Sequence, residues 1–326
     1  MEKEKYKFKI DRDRLKRVIL AVHDSFSKRE GFFSDDYKRF LPQWSLPEEF
    51  EYNPQRTQPR QKLMAAKYLW TEAFFERRNQ SAEIIKNARK VWDASDMRWF
   101  FEPEEVVKRS EGRAENIIFY DFRYALTREA EEPNGKKYLD NAEKLVQEFG
   151  GDPRNLINGQ TVDQARKNIM EFKGIGTGIA NLYIEYLLDR RIASPLDPEN
   201  AMTKVDIYKA KIPLNTDVIL LENGHGEVRR DQVVEALEPS YRDCVKGLGF
   251  NMPTIGTALW LIGTRGCREK NFNVCKHCPL EESLCVSNTW EDALTVRLRV
   301  FDEEGNRVEM RERGLQGVFM FANDLK

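Results

Sequence analysis

Four of the five cysteines lie close together near the end of the chain, spaced Cys267-x7-Cys275-x2-Cys278-x6-Cys285. The fifth, Cys244, lies outside this group and is expected to be a buried apolar residue. Four thiolates from one short segment suit two kinds of centre, an iron–sulfur cluster and a tetrahedral zinc ion. The ligand type alone favours neither, so the cysteines predict a metal centre of one of these two types.

A glycine-rich string, Phe172-Lys-Gly-Ile-Gly-Thr-Gly-Ile-Ala-Asn181, lies between two amphipathic helical patterns. Glycines at alternate positions let the backbone turn sharply and bring successive N–H groups to the start of a helix, where a phosphate can bind. An ordinary glycine turn between helices is the alternative, and an isolated Gly-x-Gly would favour it. Gly174, Gly176 and Gly178 are therefore candidate phosphate-binding residues.

The order of the motifs around this string resembles one family. Upstream lies Arg113-Ala-Glu-Asn-Ile-Ile118, and downstream come Lys204-Val-Asp-Ile-Tyr-Lys-Ala-Lys-Ile212 and then the cysteine group. This ordered set resembles the helix-hairpin-helix (HhH-GPD) DNA glycosylase superfamily, and within it the iron–sulfur branch of endonuclease III and adenine DNA glycosylase. The resemblance covers about residues 60 to 288. It is carried by Gly174, Gly176, Ala180, Asn181, Val205, Asp206 and Lys211.

The resemblance implies a catalytic residue and its partners. It makes Asp206 the catalytic carboxylate, which can stabilise the positive charge that develops on the sugar as a base leaves and can orient a water molecule. The simpler alternative for Asp206 is helix capping, and the two roles are compatible; Asp197 and Asp217 are the other nearby carboxylates. The resemblance also implies that the hairpin glycines and Lys211 bind DNA and that the cysteines hold a [4Fe-4S] cluster, with zinc as the alternative.

A base in duplex DNA must be flipped out before it can be excised, at a cost of roughly a few kcal/mol, and a side chain usually fills the space left behind. In the family this side chain comes from the turn after the second barrel helix, which by order falls near Trp70 to Arg78. The candidates here are Phe74, Phe75 and Arg77. Two adjacent phenylalanines are more often core residues, which is the alternative for Phe74 and Phe75.

Three departures from the family pattern bear on the reaction. The lysine that forms a Schiff base in bifunctional members aligns with Gly178, which has no nucleophile, and Lys173 comes too early to replace it. Gly178 and Asp206 are 28 residues apart, because residues 190–201 resemble an insertion. The first and last cysteine intervals are each one residue longer than is usual in the family. The predicted function is a monofunctional DNA N-glycosylase that excises a damaged, mispaired or modified base.

Two alternatives to this function stay open. One is a bifunctional glycosylase that also cuts the strand as an AP lyase through another amine. The other is a non-catalytic DNA-binding protein that keeps the hairpin and the cluster. The sequence does not identify the base that would be released.

The candidate residues are carried mainly by helices. Apolar residues recur at steps of three and four from Arg12 to Phe26, and helical patterns continue from Gln61 to Val91 and onward to about Gly263. Only the tail changes period: Leu294–Val300 and Val308–Arg311 flank a turn sequence, which predicts a β-hairpin. The prediction is an all-α protein with two helical domains flanking a DNA-binding cleft and a β-hairpin appended at the C-terminal end.

Four regions are expected along the chain. Residues 1–57 form an N-terminal helix and linker that pack with the metal-loop domain, and residues 58–203 form a helical barrel that carries the hairpin. Residues 204–288 carry the catalytic aspartate and the metal loop, and residues 289–326 form the β-hairpin tail.

The overall charge does not indicate a nucleic-acid partner, since 53 basic and 54 acidic residues give a net charge of -1. A local surplus exists between Arg56 and Lys90, with nine basic residues against three acidic ones. No stretch approaches the roughly 18 apolar residues of a membrane span, and the first residues contain no apolar signal core. We expect a cytoplasmic, monomeric protein that binds double-stranded DNA and no membrane.

Overall fold

The chain divides into two compact units. Unit 1 contains Met1–Asp36 and Met202–Lys326, and unit 2 is the segment between them, Tyr37–Ala201. The predicted N-terminal linker is divided between the units, because Leu46 and Phe50 are buried in the core of unit 2. The computed structural model describes residues 7–34, 41–50, 59–76, 81–110, 132–222, 230–267, 277–280, 284–285, 296–301 and 307–312.

Helices make up most of the described part of both units. In chain order they are α1 (Arg12–Lys28), α2 (Pro59–Phe75), α3 (Ser81–Asp93), α4 (Pro103–Ser110), α5 (Glu132–Phe149), α6 (Val162–Met170), α7 (Thr177–Asp189), α8 (Ile207–Asn215), α9 (Arg230–Val245) and α10 (Met252–Leu261). Short 3-10 segments lie at Gly31–Phe33, Pro42–Trp44, Glu48–Phe50, Ser95–Phe101, Pro153–Leu156 and Pro198–Asn200, and a π-helical turn at Ile262–Gly266 follows α10.

Helix α2 lies at the centre of unit 2. Every residue from Ala65 to Phe75 is buried, and a helix that is buried on all sides belongs to a core rather than to a surface. Its aromatic side chains pack against neighbouring segments: Tyr68 stacks on Phe101 with ring centroids 4.7 Å apart, and Trp70 meets Tyr183 of α7 edge-on at 5.1 Å. These contacts fix α7, and with it the glycine string, against the core.

Helix α1 is the first helix of unit 1 and follows the predicted pattern. Asp11 caps it by accepting a hydrogen bond from the Arg14 backbone N–H at 2.9 Å. Its apolar stripe packs against α9 and α10, which explains the steps of three and four residues in the sequence. The buried residues of this stripe are Leu15, Val18, Ile19 and Val22.

Unit 1 also contains a four-stranded sheet in the order β1-β2-β3-β4. Its strands are β1 (Lys7–Ile10), β2 (Ile219–Glu222), β3 (Val296–Phe301) and β4 (Arg307–Glu312). Strands β1 and β2 are antiparallel, with Phe8 opposite Leu221. Strand β3 runs parallel to β2, with Val300 opposite Leu221, and pairs antiparallel with β4.

The predicted all-α class is confirmed, since both units are built of helices and the strands of the described residues all belong to this one sheet. The predicted C-terminal hairpin is present as β3 and β4. It is not a separate appendage, because β3 continues the sheet that β1 and β2 begin. Among the described helices none is long and apolar enough to cross a membrane.

Candidate functional site

The glycine string forms the turn between α6 and α7 in unit 2. Gly174 has φ +77°, a left-handed conformation that favours glycine. Gly176 is the residue before the first turn of α7 and has no side chain to cap it. The first N–H groups of any α-helix lack partners within the helix, so those of Thr177 and Gly178 at the start of α7 can bind an external acceptor.

The apolar members of the string hold this turn on the core. Phe172 and Ile175 are only 2% and 7% exposed, and the Ile175 N–H donates to the Phe172 carbonyl at 3.2 Å. Gly176 lies on the other side of the turn, where an added Cβ would meet no atom within 4 Å. One side of the turn therefore packs on the core, and the other side leaves open space at the start of α7, as an anion site requires.

Asp206 lies immediately before α8 in unit 1. Its Oδ1 accepts hydrogen bonds from the backbone N–H groups of Tyr208 and Lys209, both at 2.9 Å, so the predicted capping role is present. No donor among the described residues contacts Oδ2, and the side chain is partly exposed. One carboxylate oxygen thus builds the helix, and the other remains able to meet a water molecule or a substrate.

Close packing against α10 fixes the start of α8. A Cβ at Gly256 would lie 2.1 Å from the Thr203 hydroxyl oxygen and 3.1 Å from the Lys209 ammonium nitrogen. A Cβ at Gly263 would lie 2.4 Å from the Tyr208 carbonyl oxygen. Since real Cβ atoms do not approach other atoms this closely, both glycines are needed for the two segments to meet.

A buried phenol supports the same segment from inside unit 1. Tyr241 is fully buried, and its hydroxyl donates to the Lys209 carbonyl at 3.2 Å. Burial, with a further contribution from the negative charge of Asp206, raises the pKa of Tyr241 well above its ordinary value. The phenol therefore stays protonated and keeps its donor role.

The two other candidate carboxylates, Asp197 and Asp217, are already engaged in the fold. Asp197 accepts from the Val162 backbone N–H at 2.6 Å and from the Asn200 amide at 3.0 Å, so it joins the insertion to the start of α6. Asp217 is 4% exposed and has φ +54°. Asp206 and Asp197 are both partly exposed, whereas Asp217 is buried.

The structure corrects the predicted wedge. Phe74 and Phe75 are 2% and 5% exposed, and their rings pack on Tyr138 at centroid distances of 5.4 and 5.6 Å. Burial of two large apolar side chains is more favourable than their exposure to solvent. Phe74 and Phe75 are therefore core residues, which was the alternative for them. Arg77, the third candidate, and the side chain of Lys211 lie outside the described residues.

The cysteine segments belong to unit 1. Cys267 follows the π-helical turn and donates its N–H to the Ile262 carbonyl at 2.9 Å. Cys267, Cys278 and Cys285 are partly exposed, and Cys275 lies outside the described residues. The described His, Cys, Asp and Glu side chains form no group of three that could hold a metal ion. The donor chemistry of four thiols nevertheless suits an iron–sulfur cluster or zinc.

Helix α1 and the turn after it hold two of these segments in place. The Phe32 N–H donates to the His277 carbonyl at 3.0 Å, next to Cys278, and the Arg14 guanidinium donates to the Leu284 carbonyl at 3.1 Å, next to Cys285. The backbone beside Cys278 and Cys285 is therefore anchored to α1 and to the turn that follows it.

Cys244 is partly exposed on α9, whereas the sequence analysis expects a buried apolar residue. Its thiol lies 3.8 Å from the Arg12 carbonyl oxygen. Desolvation by the surrounding residues is the largest cause of the rise in its pKa. A raised pKa disfavours the thiolate, which is the form that binds metals.

No protein-family model matches the sequence, and no curated protein matches it. Among solved structures, the chain is similar to the structure of a thermostable thymine-DNA glycosylase, with a TM-score of 0.48 and 15% sequence identity. The match covers 84% of this chain and 95% of that chain. A similarity this distant does not by itself assign an activity.

Sequence reasoning missed several residues that support the candidate site. Lys209 follows Asp206 by three positions and is 2% exposed, and Asn141 is 1% exposed beside the glycine turn. A single lysine or asparagine in a helical pattern is usually a surface residue. The position of Gly256 in the middle of an apolar helical run was the one available signal, because an interior helical glycine often marks close packing.

Proposed function

We propose that the protein is a monofunctional DNA N-glycosylase, which hydrolyses the bond between a base and its deoxyribose in double-stranded DNA. The observation that carries the proposal is the state of Asp206, which caps α8 through Oδ1 and leaves Oδ2 without a described protein donor. Helix capping uses only one carboxylate oxygen, so it is compatible with a catalytic role for the other. The glycine turn before α7 supplies the second component, an open set of backbone donors for a DNA phosphate.

In the proposed reaction the turn binds the DNA backbone and the target base leaves the helical stack. The carboxylate of Asp206 then faces the sugar. As the bond to the base breaks, positive charge develops on the sugar ring, and a fixed negative charge nearby stabilises it. Asp206 also orients the water molecule that attacks the sugar, so the products are a free base and an abasic site.

The residues of the glycine turn and the lysine that follows Asp206 support hydrolysis over strand cleavage. Gly178 provides no amine where bifunctional enzymes of the resembling family have a lysine. The Lys173 ammonium lies 2.6 Å from the Asp140 carboxylate, so it is engaged in an ion pair. Lys209 is buried and donates to the Thr203 hydroxyl.

The proposed cofactor is a [4Fe-4S] cluster, with zinc as the alternative. Cys267, Cys275, Cys278 and Cys285 would hold it, and bound in this way it would order the loop between them. The residues of this chain that prepare the site are Arg14 and Phe32, which fix the backbone beside Cys285 and Cys278.

The test is to incubate the protein with duplexes that carry single damaged, mispaired or hypermodified bases and to identify the released bases by mass spectrometry. The expected products are a free base and an intact strand that breaks only after alkali. Strand cleavage without alkali, together with trapping of the protein on DNA by borohydride, would establish a bifunctional enzyme instead. Binding without release from any duplex would favour the non-catalytic alternative.

A further inference from the structure

Asn141 of α5 forms two reciprocal hydrogen bonds with the backbone of Lys173. Its amide nitrogen donates to the Lys173 carbonyl at 3.0 Å, and its amide oxygen accepts from the Lys173 N–H at 2.8 Å. The Asn141 side chain is 1% exposed. A single buried amide thus satisfies both backbone groups of the residue that directly precedes Gly174.

Other side chains on the same part of α5 contact the neighbouring residues of the turn. The Asp140 carboxylate lies 2.6 Å from the Lys173 ammonium, and the Lys144 ammonium lies 3.1 Å from the Glu171 carboxylate. These are surface ion pairs, with the Lys173 side chain 62% exposed and that of Glu171 57% exposed, and such pairs are weak. The buried amide of Asn141 is therefore a stronger polar contact between α5 and the turn than either ion pair.

We infer that Asn141 is a positioning residue for DNA binding, and this inference rests on the proposed function. Gly174 adopts its left-handed conformation without steric help from a side chain, so its backbone is free to take up other conformations. Asn141 removes that freedom by fixing Lys173, and the turn then presents the first N–H groups of α7 in one orientation. A binding site that is ordered before the ligand arrives loses less entropy on binding.

A purely structural role would have a different signature. If Asn141 only satisfied buried backbone groups, its loss would lower the melting temperature and leave the DNA affinity of the folded fraction unchanged. If it positions the turn, the affinity of the folded protein falls, while the rate of base release at saturating DNA changes little because Asp206 lies in the other unit.

The test compares Asn141→Ala and Asn141→Asp with matched changes at Asn155. Asn155 also belongs to unit 2 and donates its amide to a backbone carbonyl, that of Phe149, at 3.0 Å, but it makes no described contact with the turn. Asn141→Asp keeps the acceptor for the Lys173 N–H and loses the donor to its carbonyl. Asn155→Asp controls for the added negative charge.

The measurements are the dissociation constant for an abasic-site duplex at several salt concentrations and the rate of base release at saturating duplex. We expect Asn141→Ala to weaken binding by about 10-fold or more and to flatten the salt dependence, as loss of a phosphate contact does. The dissociation constant of Asn141→Asp, corrected for the charge effect seen in Asn155→Asp, should lie between those of the wild type and Asn141→Ala. Asn155→Ala should bind as the wild type does. The rate at saturation should stay within about 2-fold for all four variants, because the turn holds DNA and does not touch the reacting bond.

Wild-type affinity in both Asn141 variants, with affinity lost in Gly176→Leu, would overturn the inference and leave the proposed function standing. Absence of DNA binding by the wild type would overturn the proposed function itself. If Asn141→Ala fails to fold, the DNA affinity of Asn141→Asp and the rate of amide hydrogen exchange at the turn decide whether Asn141 positions it. Faster exchange at Lys173 and Ile175 with unchanged affinity would count against a positioning role.

Discussion

The ammonium group of Lys209 donates a hydrogen bond to the hydroxyl of Thr203, and both side chains are closed to solvent, at 2% and 0% exposure. These two residues stand on either side of Asp206 in the sequence. Their contact therefore joins the segment before the aspartate to the first turn of the helix after it, and Gly256 of α10 leaves the space in which they meet.

Gly256→Ala tests this arrangement. The new Cβ would overlap the Thr203 hydroxyl, and overpacking of this kind costs about 1–3 kcal/mol. We expect a lower melting temperature and reduced base release, since the segment that carries Asp206 must move. Gly176→Ala is the matched control, because its Cβ meets nothing within 4 Å. Equal melting temperatures for the two variants would contradict the close packing.

Asp206→Asn tests the charge of the proposed catalytic residue. Asparagine caps a helix as well as aspartate does, so α8 should stay folded. Loss of one well-placed electrostatic group typically slows the reaction about 100 to 1000 fold, which single-turnover base release would measure. Binding to an abasic-site duplex should change only a few fold. Full activity here, with loss of activity in Asp217→Asn, would transfer the role to Asp217.

Gly176→Leu tests the glycine turn. The Cβ of the new side chain would meet no atom within 4 Å, so we expect the melting temperature to stay close to that of the wild type. DNA affinity should fall at least about 10-fold, because a phosphate can no longer reach the N–H groups. Unchanged binding in a salt titration would show that the turn is only structural.

Cys278→Ser tests the proposed cluster. We expect the wild type, prepared without oxygen, to be yellow-brown with about four irons per chain. The variant should lose both the colour and the iron, because thiolate ligation is coupled to folding of the loop. Cys244→Ser should keep both, since this thiol lies on α9 outside the group. One zinc and no iron in the wild type would establish the alternative.

Glu72 gives a test of the core of unit 2. It is 2% exposed, and neither carboxylate oxygen has a partner among the described residues. Burial, with a smaller contribution from the charge of Glu76, raises its pKa well above the ordinary 4.5. The folded protein thus holds a proton that the unfolded chain releases above that pH, so stability falls as pH rises, by up to about 1.4 kcal/mol per unit.

Glu72→Gln removes this titration. The variant should melt at a higher temperature than the wild type near about pH 8, and the difference should vanish near about pH 4, where the unfolded chain also keeps the proton. Glu148→Gln, a change at the exposed surface of α5, controls for loss of a carboxylate. A difference independent of pH would mean that Glu72 does not titrate in the core.

Patterns that depend on local periodicity could be read from the sequence. The first helix and the two strands of the C-terminal hairpin were predicted to within about two residues at each end. Strands β1 and β2 were not predicted, because four residues are too few to establish a period. The capping role of Asp206 was predicted, since it depends only on the residues that follow it.

Contacts between segments that are distant in the chain could not be predicted from the sequence alone. The burial of Phe74 depends on Tyr138 of α5, and the Asn141 contact joins residues 32 positions apart. Lys209 could not be distinguished from a surface lysine, because only the fold brings Gly256 against it. Such pairs depend on tertiary packing, which no single-segment pattern records.

The parallel pairing of β3 with β2 has a consequence for truncated forms of the chain. Strand β2 lies between β1 and β3, so its hydrogen-bonding groups are used on both sides. In a chain that stopped before Val296, β2 would become an exposed edge strand, with unpaired N–H and C=O groups facing outward. An exposed edge strand of this kind can pair with strands of other molecules. Shortened forms should therefore self-associate or precipitate, even though the residues removed are far in sequence from the glycine turn and from Asp206.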